Sequence, residues 1–392
     1  MSSINIKPLW LVGFRPFFLG ASTWAALSML VWLGLTDFAW SLNLNDVQST
    51  YWHAHEMIFG YSVAVIAGFL LTAVPGWTST EHVNGSLLIL IFVCWLIARL
   101  SFLFGDASWL LVTGLADLIF MLSVFTVIAI PILNRKQFRQ SGILVKILLM
   151  IAANVCFYLG ATDLLEHGIY YGLYGGFYLI IALILTMARR VMPMFIRNGL
   201  SLTTPLRNRD WVDRSSIVLF LCFWALELSQ AYPIVSSLFA LLLFVVHAIR
   251  LYDWTALSMW RKSLVWVLYV SYLFIVLGFA AKASSLLGFY IAPTIGLHLF
   301  AIGGIGLITI GMMSRVALGH TGRDIHQPSR WLIPLFLCII TATILRVFLP
   351  IYAMQHYSLW MTLSKVFWII GFTGFIIIYS PFLLSVRADH QQ

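Results

Sequence analysis

Histidines at the start of apolar segments are the first residues in this sequence whose type and spacing could do chemistry. His53 and His55 open one such segment, and His298 lies close to the start of another. A neutral imidazole binds haem iron, copper or zinc, and histidines on facing helices of a bundle commonly hold such groups. We therefore predict that these three histidines are haem or metal ligands. The alternative is that they are ordinary helix-end residues whose polar tips reach the interface.

The spacing within WHAHEM, at 52–57, limits how these ligands can act. Residues two apart on an α-helix point about 200° away from each other, so one metal ion cannot readily bind both His53 and His55. Either His53 precedes the helix, or the two rings serve different neighbours. The adjacent Glu56 could orient a ligand or relay protons, which makes it the candidate catalytic residue.

Ionisable side chains within the apolar segments form a second set of candidates. A charge inside a membrane is costly unless it is paired or hydrated, so each such residue indicates a functional role. Arg99, Arg346 and Asp117 fall at a similar depth to Glu56, in the predicted outer half of their segments. We expect them to be charge partners of a site at that depth.

A third set lies toward the opposite, inner ends of the segments. The stretches 190–199 and 314–323 carry Arg190, Arg315, His320 and Arg323, which predicts a second metal or cofactor site with His320 as a ligand. His247 could join it as a ligand, or its ring could be satisfied by a backbone carbonyl. Anchoring of the chain by basic residues on the cytoplasmic side would explain most of the arginines without any site.

The elements that carry these residues are helices that cross a membrane. Of the 392 residues, 61% are hydrophobic and 9% are charged, whereas roughly 25% of the residues in soluble domains are charged. Apolar runs of about 20 residues, the length that crosses the hydrocarbon core, recur along the whole chain. The prediction is an all-α polytopic membrane bundle that forms a single transmembrane domain over residues 1–392. Its twelve predicted spans lie near 16–36, 54–75, 86–104, 108–133, 142–162, 168–190, 214–230, 232–250, 262–281, 291–314, 331–350 and 358–384.

The distribution of basic residues orients the bundle. Although the net charge is +9, Lys and Arg occupy alternate short loops rather than one patch or arm. This pattern argues against nucleic acid as a partner, and the positive-inside rule places those loops and both termini in the cytoplasm. The four cysteines lie singly in separate spans, which argues against a disulfide framework.

A weak internal repeat divides the predicted spans. Three spans that run from outside to inside end in related sequences, with Thr72, Thr186 and Thr309 at matching places. Their spacing separates twelve helices into three groups of four. The sequence thus predicts repeats over 1–140, 141–257 and 258–392.

Several longer motifs are similar to those of one protein family. They are GFRPFFL at 13–19, WHAHEMIFGY at 52–61, AVIAGFLLTAVPGW at 64–77, RRVMPMFIRNGL at 189–200 and SRVALGHTGR at 314–323. Through these motifs the chain resembles, over nearly its whole length, the NnrS family of haem- and copper-containing bacterial membrane proteins linked to the nitric oxide response. The resemblance implies a protein of the bacterial cytoplasmic membrane that relieves nitrosative stress by binding or turning over nitric oxide, with electrons from an unknown donor. The residues at family-like positions are His53, His55, Glu56, His298, Arg315, His320 and Arg323.

Two departures from the family pattern bear on copper. The family often has PNWTG where this chain has PGWTS at 75–79, and it often has a histidine near the start of the ninth span, where this chain has Tyr269. If that histidine is a ligand elsewhere, a metal site is altered here and Tyr269 stands in its place. The resemblance therefore supports haem more than copper.

A looser resemblance concerns architecture. The catalytic subunit of haem-copper oxidases also arranges twelve helices as three groups of four, with haem histidines on the second and tenth helices. His55 and His298 fit that plan and would face each other. The paired copper histidines of the sixth and seventh helices are missing from this sequence, so the likeness does not extend to the reaction.

Three functions stay open from the sequence. The first is a haem protein, including a haem-dependent oxidoreductase, that acts on nitric oxide. The second is a secondary transporter in which Arg99, Arg346 and Glu227 bind substrate. The third is a protein that binds haem or copper transiently during cofactor handling.

Overall fold

The computed structural model describes residues 7–289 and 291–388, which form helices joined by turns and loops, with no β-strand among them. Twelve long helices follow one another along these residues, as the sequence predicts. They are α1 (Phe14–Asp37), α2 (Ser49–Thr78), α3 (Gly85–Phe104), α4 (Ala107–Asn134), α5 (Phe138–Ala161), α6 (Gly168–Gly199), α7 (Asp210–Ser229), α8 (Pro233–Asp253), α9 (Ser263–Ala283), α10 (Pro293–His320), α11 (Leu332–Tyr352) and α12 (Met354–Leu384).

Eleven of these described helices are long and apolar enough to cross a membrane, which confirms the predicted multi-pass helical bundle. The exception is α7, whose apolar run is interrupted by Asp210, Asp213, Arg214 and Glu227. Some helices run beyond their predicted ends, and α10 continues to His320. A helix continues as long as its backbone hydrogen bonds do, whether or not its side chains are apolar.

The chain divides into two compact units. Unit 1 comprises Met1–Ile180, His320–Arg323 and Phe372–Gln392, and unit 2 comprises Ile181–Gly319 and Asp324–Gly371. The division into three four-helix repeats follows different boundaries and stays a prediction.

Within unit 1, helices α1 to α5 pack around a core rich in aromatic rings. Phe17 of α1 stacks on Phe120 of α4 with ring centroids 5.7 Å apart. Ring pairs of this kind add to the burial of apolar surface, because their offset geometry is favourable in itself.

One end of unit 1 brings together the start of α1, the end of α12 and the 321–323 turn. Arg15 donates to the carbonyl oxygens of Leu383 and Ser385 over 2.8 and 2.6 Å. The backbone N–H of Ala388 donates to the carbonyl of Thr321 over 3.0 Å. The start of α1 and the end of α12 therefore lie at the same end of unit 1.

Within unit 2, helices α7 to α10 pack in chain order, and α11 packs against α10. Glycines let α10 approach its neighbours closely. A Cβ atom on Gly303 would lie 2.5 Å from Phe274 of α9, and one on Gly306 would lie 2.5 Å from Trp368 of α12. Both distances are shorter than a carbon–carbon contact, so a side chain at either glycine would push the helices apart.

Three of the described helices contain a π-helical turn beside a predicted site residue. A π-helical turn accommodates an extra residue and changes the direction of nearby side chains, and such turns frequently occur at functional sites. They are Glu56–Ser62 after His55, Leu299–Gly306 after His298, and Ile344–Phe348 around Arg346.

Candidate functional site

A fully buried ionic cluster lies within unit 1, where α2, α3 and α4 meet. Arg99 on α3 donates from Nη1 to Oε1 of Glu56 on α2 over 2.6 Å, and from Nη2 to Asp117 on α4. All three residues are 0% exposed. The structure thus brings together three residues that the sequence singles out separately, each within its own apolar span.

Neutral donors complete the hydrogen bonds of both carboxylates. Nε1 of Trp24 on α1 donates to Oε2 of Glu56 over 2.6 Å, and the hydroxyl of Tyr158 on α5 donates to Oδ2 of Asp117 over 2.8 Å. Two carboxylates against the guanidinium of Arg99 leave a net charge of −1. Because a net charge buried away from water is costly, a further proton is expected beside them.

His55 is placed to carry that proton. Its Nδ1 lies 3.0 Å from Oε1 of Glu56, and its Nε2 lies 2.9 Å from Oδ1 of Asn154 and 3.6 Å from Oδ2 of Asp117. The amide nitrogen of Asn154 faces the sulfur of Met121 at 3.4 Å, which supports this orientation of the amide. Both ring nitrogens therefore face acceptors, and an imidazole can donate from both only when each bears a hydrogen. An imidazolium at His55 brings the cluster to zero net charge.

Gly60 makes room for the cluster. A Cβ atom at this position would lie 2.7 Å from Nη1 of Arg99, 2.7 Å from Oε2 of Glu56 and 2.8 Å from Nε1 of Trp24. The carbonyl of Gly60 also accepts a hydrogen bond from Nε1 of Trp95 over 2.8 Å. Glycine is required here because any side chain would occupy the space of the ion pair.

The sequence did not predict Trp24, Gly60, Asn154 or Tyr158 as members of this site. Asn154 carried a usable signal, since a polar amide in the middle of an apolar span must find a partner. Gly60 lies within the WHAHEMIFGY motif. Trp24 and Tyr158 carried no such signal, because aromatic residues are common in membrane helices.

The same contacts decide whether a haem fits at His55. Both ring nitrogens lie against protein oxygens, and the ring packs among Phe59, Phe102 and Phe157, with centroids 5.0, 5.2 and 4.3 Å away. A haem iron at this ring would have to displace one of the two polar contacts. His55 is part of the ionic cluster, and in this arrangement it does not fit a haem ligand.

His53 has a different neighbour, as the spacing of two residues on a helix leads one to expect. Its ring stacks on Trp32 of α1, with a centroid distance of 4.6 Å and an angle of 10° between the planes. His55 instead contacts Phe102 of α3 and Asn154 of α5. The two rings therefore do not form a common ligand pair.

His298 has the hydrogen bond that a metal-binding histidine needs. Its Nδ1 lies 2.7 Å from the carbonyl oxygen of Thr294, one turn earlier in α10. Because a carbonyl oxygen can only accept, Nδ1 carries the hydrogen, and in the neutral ring Nε2 then carries the lone pair. Metal-binding histidines commonly donate their other nitrogen in this way. His298 therefore fits a haem ligand.

Tyr269 and His247, two further predicted ligands, contact hydroxyl groups of the protein. The hydroxyl of Tyr269 lies 2.8 Å from that of Thr255. His247 is fully buried, and its Nδ1 lies 2.7 Å from the hydroxyl of Tyr272 rather than against a backbone carbonyl. Within the described ranges, no three His, Cys, Asp or Glu side chains come close enough together to hold a metal ion.

Predicted inner-side residues fall in both units. In unit 1, the guanidinium of Arg323 lies 4.1 Å from the ring centroid of Phe382, and burial lowers the pKa of Arg323 below its ordinary value. The ring of His320 packs against Phe14, with centroids 5.6 Å apart. In unit 2, Arg190 is half-buried.

In unit 2, the predicted charged residues Arg346 and Glu227 have polar partners within the protein. Arg346 is hydrogen-bonded with Tyr357. Lys282 donates to Glu227, which also accepts from the hydroxyl of Ser236 over 2.6 Å. These contacts join α11 to α12 and α7 to both α8 and α9 within the unit.

A protein-family model covers nearly the whole chain. It is described as NnrS protein and matches residues 8–387, a range that contains the ionic cluster and His298. No curated protein matches the sequence.

Proposed function

Because the chain belongs to the NnrS family, we propose that it is a haem-binding membrane protein of the nitric oxide response, with His298 as a ligand of the haem iron. The observation that carries this assignment is the hydrogen bond between Nδ1 of His298 and the carbonyl of Thr294. It selects the tautomer in which Nε2 can bind a metal. When bound, the haem would supply an iron atom that takes nitric oxide as a ligand.

The helix around His298 supports the proposal. The π-helical turn Leu299–Gly306 follows His298 directly, and a departure from regular helix beside a candidate ligand is typical of functional sites. Nitric oxide is small and uncharged, so it can reach a site within a membrane span through the bilayer.

The ionic cluster has a separate task in this proposal. Glu56, Arg99 and Asp117 tie α2, α3 and α4 together, and the ring nitrogens of His55 lie 3.0 Å from a carboxylate oxygen of Glu56 and 3.6 Å from one of Asp117. If the protein turns over nitric oxide as well as binding it, we propose that Glu56 and His55 relay the protons that the reaction needs. A separate donor then supplies the electrons.

Copper binding and transport lack comparable support. If the family's histidine near the start of the ninth span is a copper ligand, this chain has Tyr269 at that place, and the Tyr269 hydroxyl lies 2.8 Å from that of Thr255. The transport hypothesis places substrate at Arg99, Arg346 and Glu227, but Arg99 and Glu227 are ion-paired within the protein and Arg346 is hydrogen-bonded with Tyr357. We therefore propose neither copper binding nor transport.

We also propose that the protein spans the bacterial cytoplasmic membrane with both termini in the cytoplasm. The alternation of basic and non-basic loops supports this orientation. So does the shared end of unit 1 at which Arg15 near the N-terminus contacts Leu383 and Ser385 near the C-terminus.

Purified protein in a mild detergent tests the haem assignment. The haem-to-chain ratio and the absorption spectrum are measured with and without nitric oxide. His298→Leu should lose the haem and, with it, the spectral change that nitric oxide causes. The matched control is His356→Leu, which removes another histidine near the predicted outer side, one that packs on Trp360, and it should keep both.

Size-exclusion profiles show whether the variants are folded. A colourless wild-type protein, or a folded His298→Leu variant with as much haem as the wild type, would contradict the proposal. A ratio far below one haem per chain that rises on addition of free haem would favour transient haem handling.

A further inference from the structure

A basic cleft opens at one end of unit 2, at residues that play no part in the proposed haem site. Its volume is about 240 Å³, several times the roughly 30 Å³ that one water molecule occupies in the liquid. The end of α6, the start of α9 and the loop before α11 line it. The lining residues with the greatest bearing on its chemistry are Gly199, Arg261, Lys262, Ser263, Arg315 and Arg330.

The charge of the cleft is one-sided. Arg261, Lys262, Arg315 and Arg330 carry four positive charges, and no described lining residue is acidic. Arg261, Lys262 and Arg330 are exposed and form its rim. Like charges that line one cleft repel one another, so an anion between them would be favoured.

Arg315 is the buried member of this group. It is 5% exposed, and its guanidinium lies 4.1 Å from the ring centroid of Phe195. None of the ion pairs among the described residues involves Arg315. When a guanidinium stacks on an aromatic ring, its flat face is occupied and its N–H groups point outward in its own plane. Those N–H groups can bind an oxyanion in bidentate fashion.

The start of α9 supplies a second feature that attracts anions. This 21-residue helix has Lys262 as its N-cap and no side-chain cap. Its first residues, Ser263 and Leu264, line the cleft, whereas the N–H of the next residue, Val265, already donates to the carbonyl of Lys262 over 2.9 Å. The first backbone N–H groups of a helix have no partner within the helix, and they carry the positive end of its dipole.

We propose that this cleft binds a phosphate-type oxyanion, either inorganic phosphate or the phosphate of an anionic lipid head group. Arg315 holds the anion at the base of the cleft, the N-terminus of α9 contributes backbone donors, and the rim residues add long-range attraction. The site is independent of the haem proposal, because it uses neither His298 nor the ionic cluster of unit 1.

The test uses the full chain purified in detergent. In one arm, thermal unfolding is followed while inorganic phosphate is titrated at constant ionic strength, and binding raises the unfolding temperature. In the other arm, delipidated protein is offered phosphatidylglycerol or phosphatidylcholine, and retained lipid is counted by native mass spectrometry. Arg315→Gln should weaken phosphate or phosphatidylglycerol binding about tenfold or more, as expected for loss of charge-assisted hydrogen bonds.

The matched control is Arg323→Gln. Arg323 also lies 4.1 Å from an aromatic centroid, that of Phe382, but it does not line the cleft, so this variant should bind like the wild type. The exposed pair Arg261→Gln and Lys262→Gln gives a second variant that leaves the buried core intact, and it should weaken binding severalfold.

Phosphate binding without lipid selectivity would identify a free anion as the ligand, and selective retention of phosphatidylglycerol would identify a head group. The proposal is overturned if neither probe binds the wild type. It is also overturned if Arg323→Gln weakens binding as much as Arg315→Gln, since the attraction would then be nonspecific.

Discussion

Arg99→Met is a direct perturbation of the ionic cluster, because it removes the guanidinium that contacts both Glu56 and Asp117. At the 2.6 Å that separates Arg99 from Glu56, the attraction between unit charges is about 6 kcal/mol for an effective dielectric constant near 20. The cost of removing the charges from water offsets part of this attraction. Removing one member of a buried pair typically costs about 3–5 kcal/mol, since the other member is left uncompensated. We expect a loss of that size in the free energy of unfolding.

The assay is reversible unfolding of the purified protein in detergent, followed by intrinsic tryptophan fluorescence. A triple variant, Arg99→Met with Glu56→Gln and Asp117→Asn, tests the cause of the loss. It removes the stranded charges and should recover at least half of the stability. Arg214→Met removes an exposed arginine and should change the stability by no more than about 0.5 kcal/mol.

The electrostatic reasoning would be refuted if the triple variant were no more stable than Arg99→Met. In that case the loss would come from the packing volume of the arginine side chain. Wild-type stability of the single variant would refute it as well, because without Arg99 the two buried carboxylates keep at most one counter-charge, that of His55, and the remaining net charge is costly to bury.

Two further predictions concern other parts of the fold. Gly303→Ala should destabilise the protein by about 1–3 kcal/mol, because its Cβ would lie 2.5 Å from Phe274. The control is Gly76→Ala, whose Cβ would meet nothing within 4 Å. Equal unfolding temperatures for the two variants would contradict the prediction. Arg209 donates to both carboxylate oxygens of Asp253, which raises the pKa of Arg209. Lysine cannot form this bidentate contact, so Arg209→Lys should make the 200–209 loop more sensitive to chymotrypsin. An unchanged cleavage rate would show that the contact does not order the loop.

The sequence predicted the charged members of the site and their common depth, but not their contacts. Glu56, Arg99 and Asp117 stand out because a charge inside an apolar span needs a reason, and the structure places all three in one cluster. The sequence also predicted His55 as a haem or metal ligand, but its contacts in the structure do not fit a haem ligand. Its Nε2 contacts Asn154, which lies 99 residues further along the chain, and no local pattern links the two.

The amino-acid sequence by itself determined the helical class, the number of long helices and their approximate bounds. Apolar length and the placement of charges decide these properties, and both can be read along the chain. The tertiary structure alone decided which side chains of other helices the rings of His53 and His55 contact. It set His53 against Trp32 of α1 and gave Nε2 of His55 an acceptor on α5, Asn154. The physical reason is that hydrogen-bond partners and burial depend on which helices meet, whereas a helix within a membrane depends mainly on its own residues.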